Sequence, residues 1–145
     1  MIEFKKRYIA IYSTKLVEFF GWLTHGKPKE GQMAALFPFI FFRKKNQVPE
    51  DGYQIRHELI HFRQQVETLF IGLEIIKQIE IFYAYFFLHK NKFERYMYSA
   101  CEQEAYLNQN NPNYLKERKL FAMFKYIKNK KNFRNNKDTG EITYQ

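Results

Sequence analysis

His57 and His61 stand four residues apart with Glu58 directly after the first, so that residues 57 to 61 read His-Glu-Leu-Ile-His, an HExxH pattern. On a helix, side chains four apart project from one face about one turn from each other, and two imidazoles so placed can hold one metal ion. Glu58 then stands beside that ion as a candidate general base, taking a proton from water and passing it to a leaving amine. Composition alone yields the pattern in roughly one chain in a hundred of this make-up. That is rare enough to organise the rest of the reading around it.

Two histidines leave zinc short of ligands, because a catalytic site takes three protein groups and keeps one position for water. Glu102 and Glu104, in the segment Cys101 to Tyr106, are the candidates, and the chain between them and His61 is long enough to turn and bring a second helix back. Two positions along a helix rotate a side chain by about 200°, so only one of the pair can face the metal. Gln64 and Gln65, three and four residues after His61, are placed to line the cleft or to hold a ligand histidine. Arg56 suits a glutamate near the metal or a substrate carboxylate, and ordinary surface pairing equally well. Tyr106, His89 and Tyr98 are the available oxyanion donors. His25 and His89 have no partner at ligand spacing and read as exposed loop or helix-end residues, and Cys101 reads as a small buried residue.

The elements that position these groups follow from hydrophobic spacing. Ile55, Leu59, Phe62, Val66, Leu69, Phe70 and Leu73 fall three and four apart, predicting a helix from Tyr53 to about Gln78, opened by the turn residues Pro49, Glu50, Asp51 and Gly52. A dense apolar stretch follows, residues 79 to 90. Glu74, Lys77 and Glu80 make a membrane span costly, so two buried helices joined near Gln78 are expected instead. Further helices are predicted over 93 to 108 and, after Pro112, over 113 to 128. At the other end, residues 4 to 23 have nearly helical spacing. Gly26, Pro28 and Gly31 mark a loop, and Ala35 to Phe42 reads as a strand with Pro38 at its edge or start. The fold class expected is mainly α, or α+β with a minimal edge strand or hairpin.

A chain of 145 residues with 19% aromatic content fits one domain, taken as residues 1 to 129, with an aromatic-rich core. Its single cysteine and the absence of a signal pattern point to the cytoplasm. The net charge of +9 is concentrated between Lys116 and Lys137, and residues 130 to 145 read as a loosely ordered basic tail. No nucleic-acid motif accompanies this charge, and the aromatics fall at core spacing, which argues against a nucleic-acid partner. A peptide or protein substrate is the leading partner, and shallow membrane association through the aromatic helices is a second open reading.

The pieces together resemble the gluzincin kind of zincin metallopeptidase, in which an HExxH helix is joined by a glutamate from a later helix. More closely, they resemble a small group of bacterial proteins with an FPFI segment, RHExIHxxQQ, an aromatic helix, ExEAY and a YLxxR helix. Here these are Phe37 to Ile40, Arg56 to Gln65, Ile81 to Leu88, Glu102 to Tyr106 and Tyr114 to Arg118. The resemblance spans roughly Leu36 to Tyr126. It implies zinc held by His57, His61 and Glu102, Glu58 as the base, Glu104 only as the alternative third ligand, and hydrolysis of peptide bonds. Related peptidases often carry an Asp four residues after the ligand glutamate, where this chain has Tyr106.

Overall fold

In the computed structural model, the described residues are 1 to 25, 33 to 45, 48, 49, 51 to 136 and 141 to 145, and the side chains of residues 21 to 25 are not described. The loop expected at Gly26, Pro28 and Gly31 lies outside them, as does Glu50 in the turn before the motif helix. The fold is α+β and mainly helical. A four-stranded sheet and a two-stranded one accompany seven helices among the described residues.

The first segment departs from the helix expected over 4 to 23. It forms β1 (Ile2–Phe4), β2 (Ile9–Tyr12) and only then α1 (Thr14–His25). The reason is a period of two hidden inside an apolar run: Tyr8 and Ala10 point into the core and Ile9 and Ile11 away from it. Residues 35 to 42 are likewise divided, into β3 (Ala34–Leu36) and β4 (Phe39–Phe42), with Pro38 in the turn between them. β2 pairs parallel with β4, β1 antiparallel with β2 and β3 antiparallel with β4, giving the order β1-β2-β4-β3. β3 is therefore an edge strand, whereas β4, which directly follows Pro38, is interior.

One face of the sheet presents Tyr8, Ala10, Ile40 and Phe42 to Ile55, Leu59 and Phe62 of α2 (Tyr53–Glu67), forming the main core. The other face carries Phe41, stacked on Phe20 of α1 at 4.8 Å between ring centres. The HExxH helix is thus clamped by its apolar stripe, and its opposite face is left for polar contacts.

Beyond α2 the chain turns at Thr68 to Phe70, where Leu69 and Phe70 adopt positive φ, and continues as α3 (Ile71–Phe86). The helix break therefore falls before Ile71 and not near Gln78. The helix expected over 93 to 108 is split by Ser99, whose ψ of 136° is extended, into α4 (Lys92–Tyr98) and α5 (Ala100–Asn108). α4 begins at a capping box, in which the Asn91 side chain accepts from the Glu94 backbone N–H and the Glu94 carboxylate accepts from that of Asn91. The helix expected over 113 to 128 is two short pieces, α6 (Tyr114–Glu117) and α7 (Phe124–Lys128). The stretch read as a loose tail instead forms a hairpin of β5 (Phe133–Asn135) and β6 (Ile142–Tyr144), anchored by buried Phe133 packing edge-on against Tyr106.

Candidate metal centre

α2 and α5 cross so that His57, His61 and Glu102 converge, each offering one ligand atom. The Nε2 atoms of the two histidines are 3.1 Å apart, and Oε2 of Glu102 lies 3.4 Å from each. A tetrahedral ion about 2.0–2.1 Å from each of three donors requires donors about 3.3 Å from one another. The triangle already has that size.

The tautomer of both rings is set from outside this triangle. Gln64 donates from Nε2 to Glu104 Oε2 at 2.9 Å and to the Cys101 carbonyl at 3.1 Å. Its Oε1 is thereby turned to His61 Nδ1, 2.7 Å away, so that nitrogen is the donor. Gln109 Oε1 lies 3.0 Å from His57 Nδ1 in the same role. With Nδ1 carrying the hydrogen, Nε2 of each neutral ring presents its lone pair to the centre, as a metal requires. Without an ion, a proton serves instead. Burial works against a charged His61, but the Glu102 carboxylate outweighs it and lifts this imidazole to about 9.

Glu102 is fixed by α3. Lys77, itself buried, holds Oε1 at 2.6 Å and leaves Oε2 toward the histidines. Burial pushes the Glu102 carboxyl upward, yet Lys77 and the two histidines together hold it well below the usual carboxylate range. Lys77 correspondingly stays protonated: burial disfavours its charge, and Glu102 more than offsets this. Tyr96 of α4 hydrogen-bonds Glu102 as well, and its ring lies 5.0 Å from the Lys77 ammonium. One turn further along α3, Glu80 accepts the Ala100 backbone N–H at 2.8 Å, tying down the first turn of α5 just before Glu102.

Glu58 is half-buried beside this cluster, and its negative charge reaches both His61 and Tyr96. Glu104 points away from the triangle, as a 200° rotation dictates. It accepts from Arg118 Nε at 2.5 Å and from the Tyr114 hydroxyl at 2.9 Å, while Arg118 also forks onto Glu67. Its cationic partner is thus Arg118. Arg56 instead donates to the backbone carbonyl of Gln109 at 2.7 Å and so steadies the residue that steadies His57.

Gln65 does not approach a ligand. It accepts from the Phe37 backbone N–H at 2.8 Å and donates to the Ala35 carbonyl at 3.0 Å, so a side-chain amide occupies the outer edge of β3. Tyr106 packs on Phe133, Tyr98 lies under the Lys130 ammonium, and His89 is exposed at the end of α3. None of these three is brought into the triangle. Cys101 is buried, and desolvation raises its thiol to about 12.

Tyr96 and Gln109 were absent from the sequence reading, and Lys77 entered it only as a charge that disfavours a membrane span, not as a residue of the site. Gln109 had a legible signal, since it follows Glu102 by seven residues and so falls on the same helical face. Lys77 had a weaker one: Leu73, Lys77, Glu80 and Ala84 share a face, but nothing in their spacing says that this face is buried. Tyr96 had none, because Ser99 redirects the chain between it and Glu102. Comparison of the chain with protein-family models, with curated proteins and with solved structures finds no match to any of them.

Proposed function

We propose that this protein is a zinc-dependent hydrolase of peptide bonds, a metallopeptidase of zincin type, with His57, His61 and Glu102 as ligands and Glu58 as general base. The observation that carries the reading is the donor triangle of 3.1, 3.4 and 3.4 Å, with the Nε2 atoms of both imidazoles turned inward. A zinc ion bound there supplies Lewis acidity, bringing the pKa of water toward neutrality and polarising a carbonyl. Glu58 takes the proton of the attacking water on its carboxylate and returns it to the departing amine, so its charge state is restored at the end of the cycle. Lys77 keeps Oε1 of Glu102 occupied and leaves Oε2 for the ion.

A second reading keeps the metal and drops the chemistry, making the centre a structural clip between α2 and α5. It is favoured by burial, since the two histidine side chains are only 17% and 12% exposed and Glu102 2%. The Gln65 amide on the edge of β3 favours it too, because that edge is where an extended peptide would add to the sheet. Zinc content and turnover on a mixed peptide library separate the readings. Under the hydrolase reading, wild type carries one zinc, His57→Ala carries none, and Glu58→Gln keeps zinc while losing about 10²–10⁴ in kcat. Zinc-loaded wild type without turnover selects the structural clip, and no zinc in a properly loaded sample removes both.

A further inference from the structure

α3 is built inside out. Its inward face carries Leu73, Lys77, Glu80 and Ala84, two of them charged, whereas its outward face is Ile71, Ile75, Ile79, Phe82 and Phe86 at spacings of four and three. Those five side chains are 73%, 54%, 64%, 59% and 52% exposed. A helix facing water normally shows the reverse arrangement, and a contiguous apolar stripe of this kind marks a surface that leaves water. The stripe contains no acid. Gln78 is its one exposed polar neighbour within the helix, and Glu74 is turned partly inward.

The rim tells what covers it. At the C-terminal end of α3, Tyr85, Phe86, His89 and Lys90 line one open depression. Lys92 is exposed just beyond, and the Arg95 guanidinium lies 4.6 Å from the Tyr85 ring. Aromatic rings bordered by long cationic side chains match the boundary between lipid headgroups and acyl chains, where rings sit at the interface and cations reach anionic phosphates. A second copy of this chain matches less well, since it would bring a second +9 molecule with its own Lys90, Lys92 and Arg95 toward the first. Among the described residues no helix is long and apolar enough to cross a membrane, and α3, at 16 residues, is shorter than the roughly 20 that a span needs.

We infer that the outward face of α3 docks this protein onto an anionic lipid surface, with Ile75, Ile79, Phe82 and Phe86 in the acyl boundary and Lys90, Lys92 and Arg95 on headgroup phosphates. Because Lys77 on the opposite side of the same helix holds Glu102, docking sets the metal centre about one helix diameter, roughly 10 Å, from the lipid. The substrate of such a centre is then a protein segment lying at the membrane surface. That last step rests on the hydrolase reading, while the docking itself does not.

The test is co-sedimentation of the full chain with phosphatidylcholine vesicles, with and without roughly 30% phosphatidylglycerol, at low and high salt. Binding is expected on the anionic vesicles, weakened by salt. Ile79→Ser/Phe82→Ser, both at exposed positions, weakens it at least about tenfold with an unchanged circular dichroism spectrum. Lys90→Gln/Lys92→Gln weakens it by about fivefold per charge at low salt. Equal affinity for neutral vesicles, equal binding by Ile79→Ser/Phe82→Ser, or no binding at all overturns the inference. So does a wild-type dimer in solution that becomes monomeric in Ile79→Ser/Phe82→Ser while vesicles are ignored. Zinc content is read in parallel, so failure of docking and failure of the metal centre are told apart.

Discussion

Glu102 and Lys77 form a buried pair whose two members answer for each other. Removing one charge leaves the other desolvated, which costs about 3–5 kcal/mol, more than the pair itself contributes. Glu102→Gln is therefore expected to lower the stability of metal-free protein by roughly 3 kcal/mol in urea denaturation. Glu102→Gln/Lys77→Met should recover most of this loss, since no ion is then left unpaired. If Glu102→Gln matches wild type in stability without metal, the pairing drawn here is wrong. The two glutamines act differently. Gln64→Leu and Gln109→Leu leave the ligands in place but release the ring orientation, and each should weaken zinc binding about 10–100-fold in a competition titration. Gln64→Leu should be the more destabilising of the two, because it also takes one donor each from the buried Glu104 carboxylate and the Cys101 carbonyl.

Helices and strands meet at two joints whose behaviour can be checked. The turn between α2 and α3 places Leu69 at a φ of 53° with its side chain 81% exposed. A β-carbon in left-handed backbone costs about 1–2 kcal/mol, and this side chain has little packing to lose. Leu69→Gly is thus expected to stabilise the protein, by about 0.5–1 kcal/mol after the greater chain entropy of glycine is subtracted. A loss of stability in chemical denaturation would show that the turn is set by Leu69 contacts. At the other joint, Gln65 bonds β3 to the motif helix. Gln65→Ala should cost about 1–2 kcal/mol, because the Phe37 N–H and the Ala35 carbonyl lose a partner. If peptides add to this edge, the same variant also lowers KM, and an unchanged KM places the substrate elsewhere.

For the molecule as a whole, a metal held by His57, His61 and Glu102 would join α2 to α5, which Lys77 and Glu80 already tie to α3. An ion that binds only the folded chain stabilises it by about 4 kcal/mol at a thousandfold excess over Kd. For a domain near 150 residues, that raises Tm by roughly 10 °C. Chelation should reverse the shift in wild type and have no effect in His57→Ala. Basic charge is distributed differently from its appearance in sequence: Arg118 is spent inside the fold on Glu67 and Glu104, and Lys130 on Glu80. What remains outside, together with the apolar stripe of α3, gives the exterior its two unusual features.

The sequence by itself determined the chemistry on offer. HExxH on one predicted helix and two glutamates on another limited the metal ligands to a handful of residues, because ligand type and helical spacing are local properties. It also determined the mainly helical α+β class and an edge strand near Pro38. Helical spacing alone did not rank Glu102 over Glu104, which only the resemblance did, since both lie on one helix and the packing of α5 against α2 and α3 selects the inward face. The sequence reading erred at residues 2 to 12: over β2 a period of two is masked because every position from Tyr8 to Tyr12 is apolar, and strand pairing with β4 prevails over local preference. It read α3 as a buried helix, and there the tertiary structure reversed the answer. Lys77 and Glu80 enter the interior because Glu102, Lys130 and the start of α5 are waiting for them, and that geometry turns the isoleucines and phenylalanines outward.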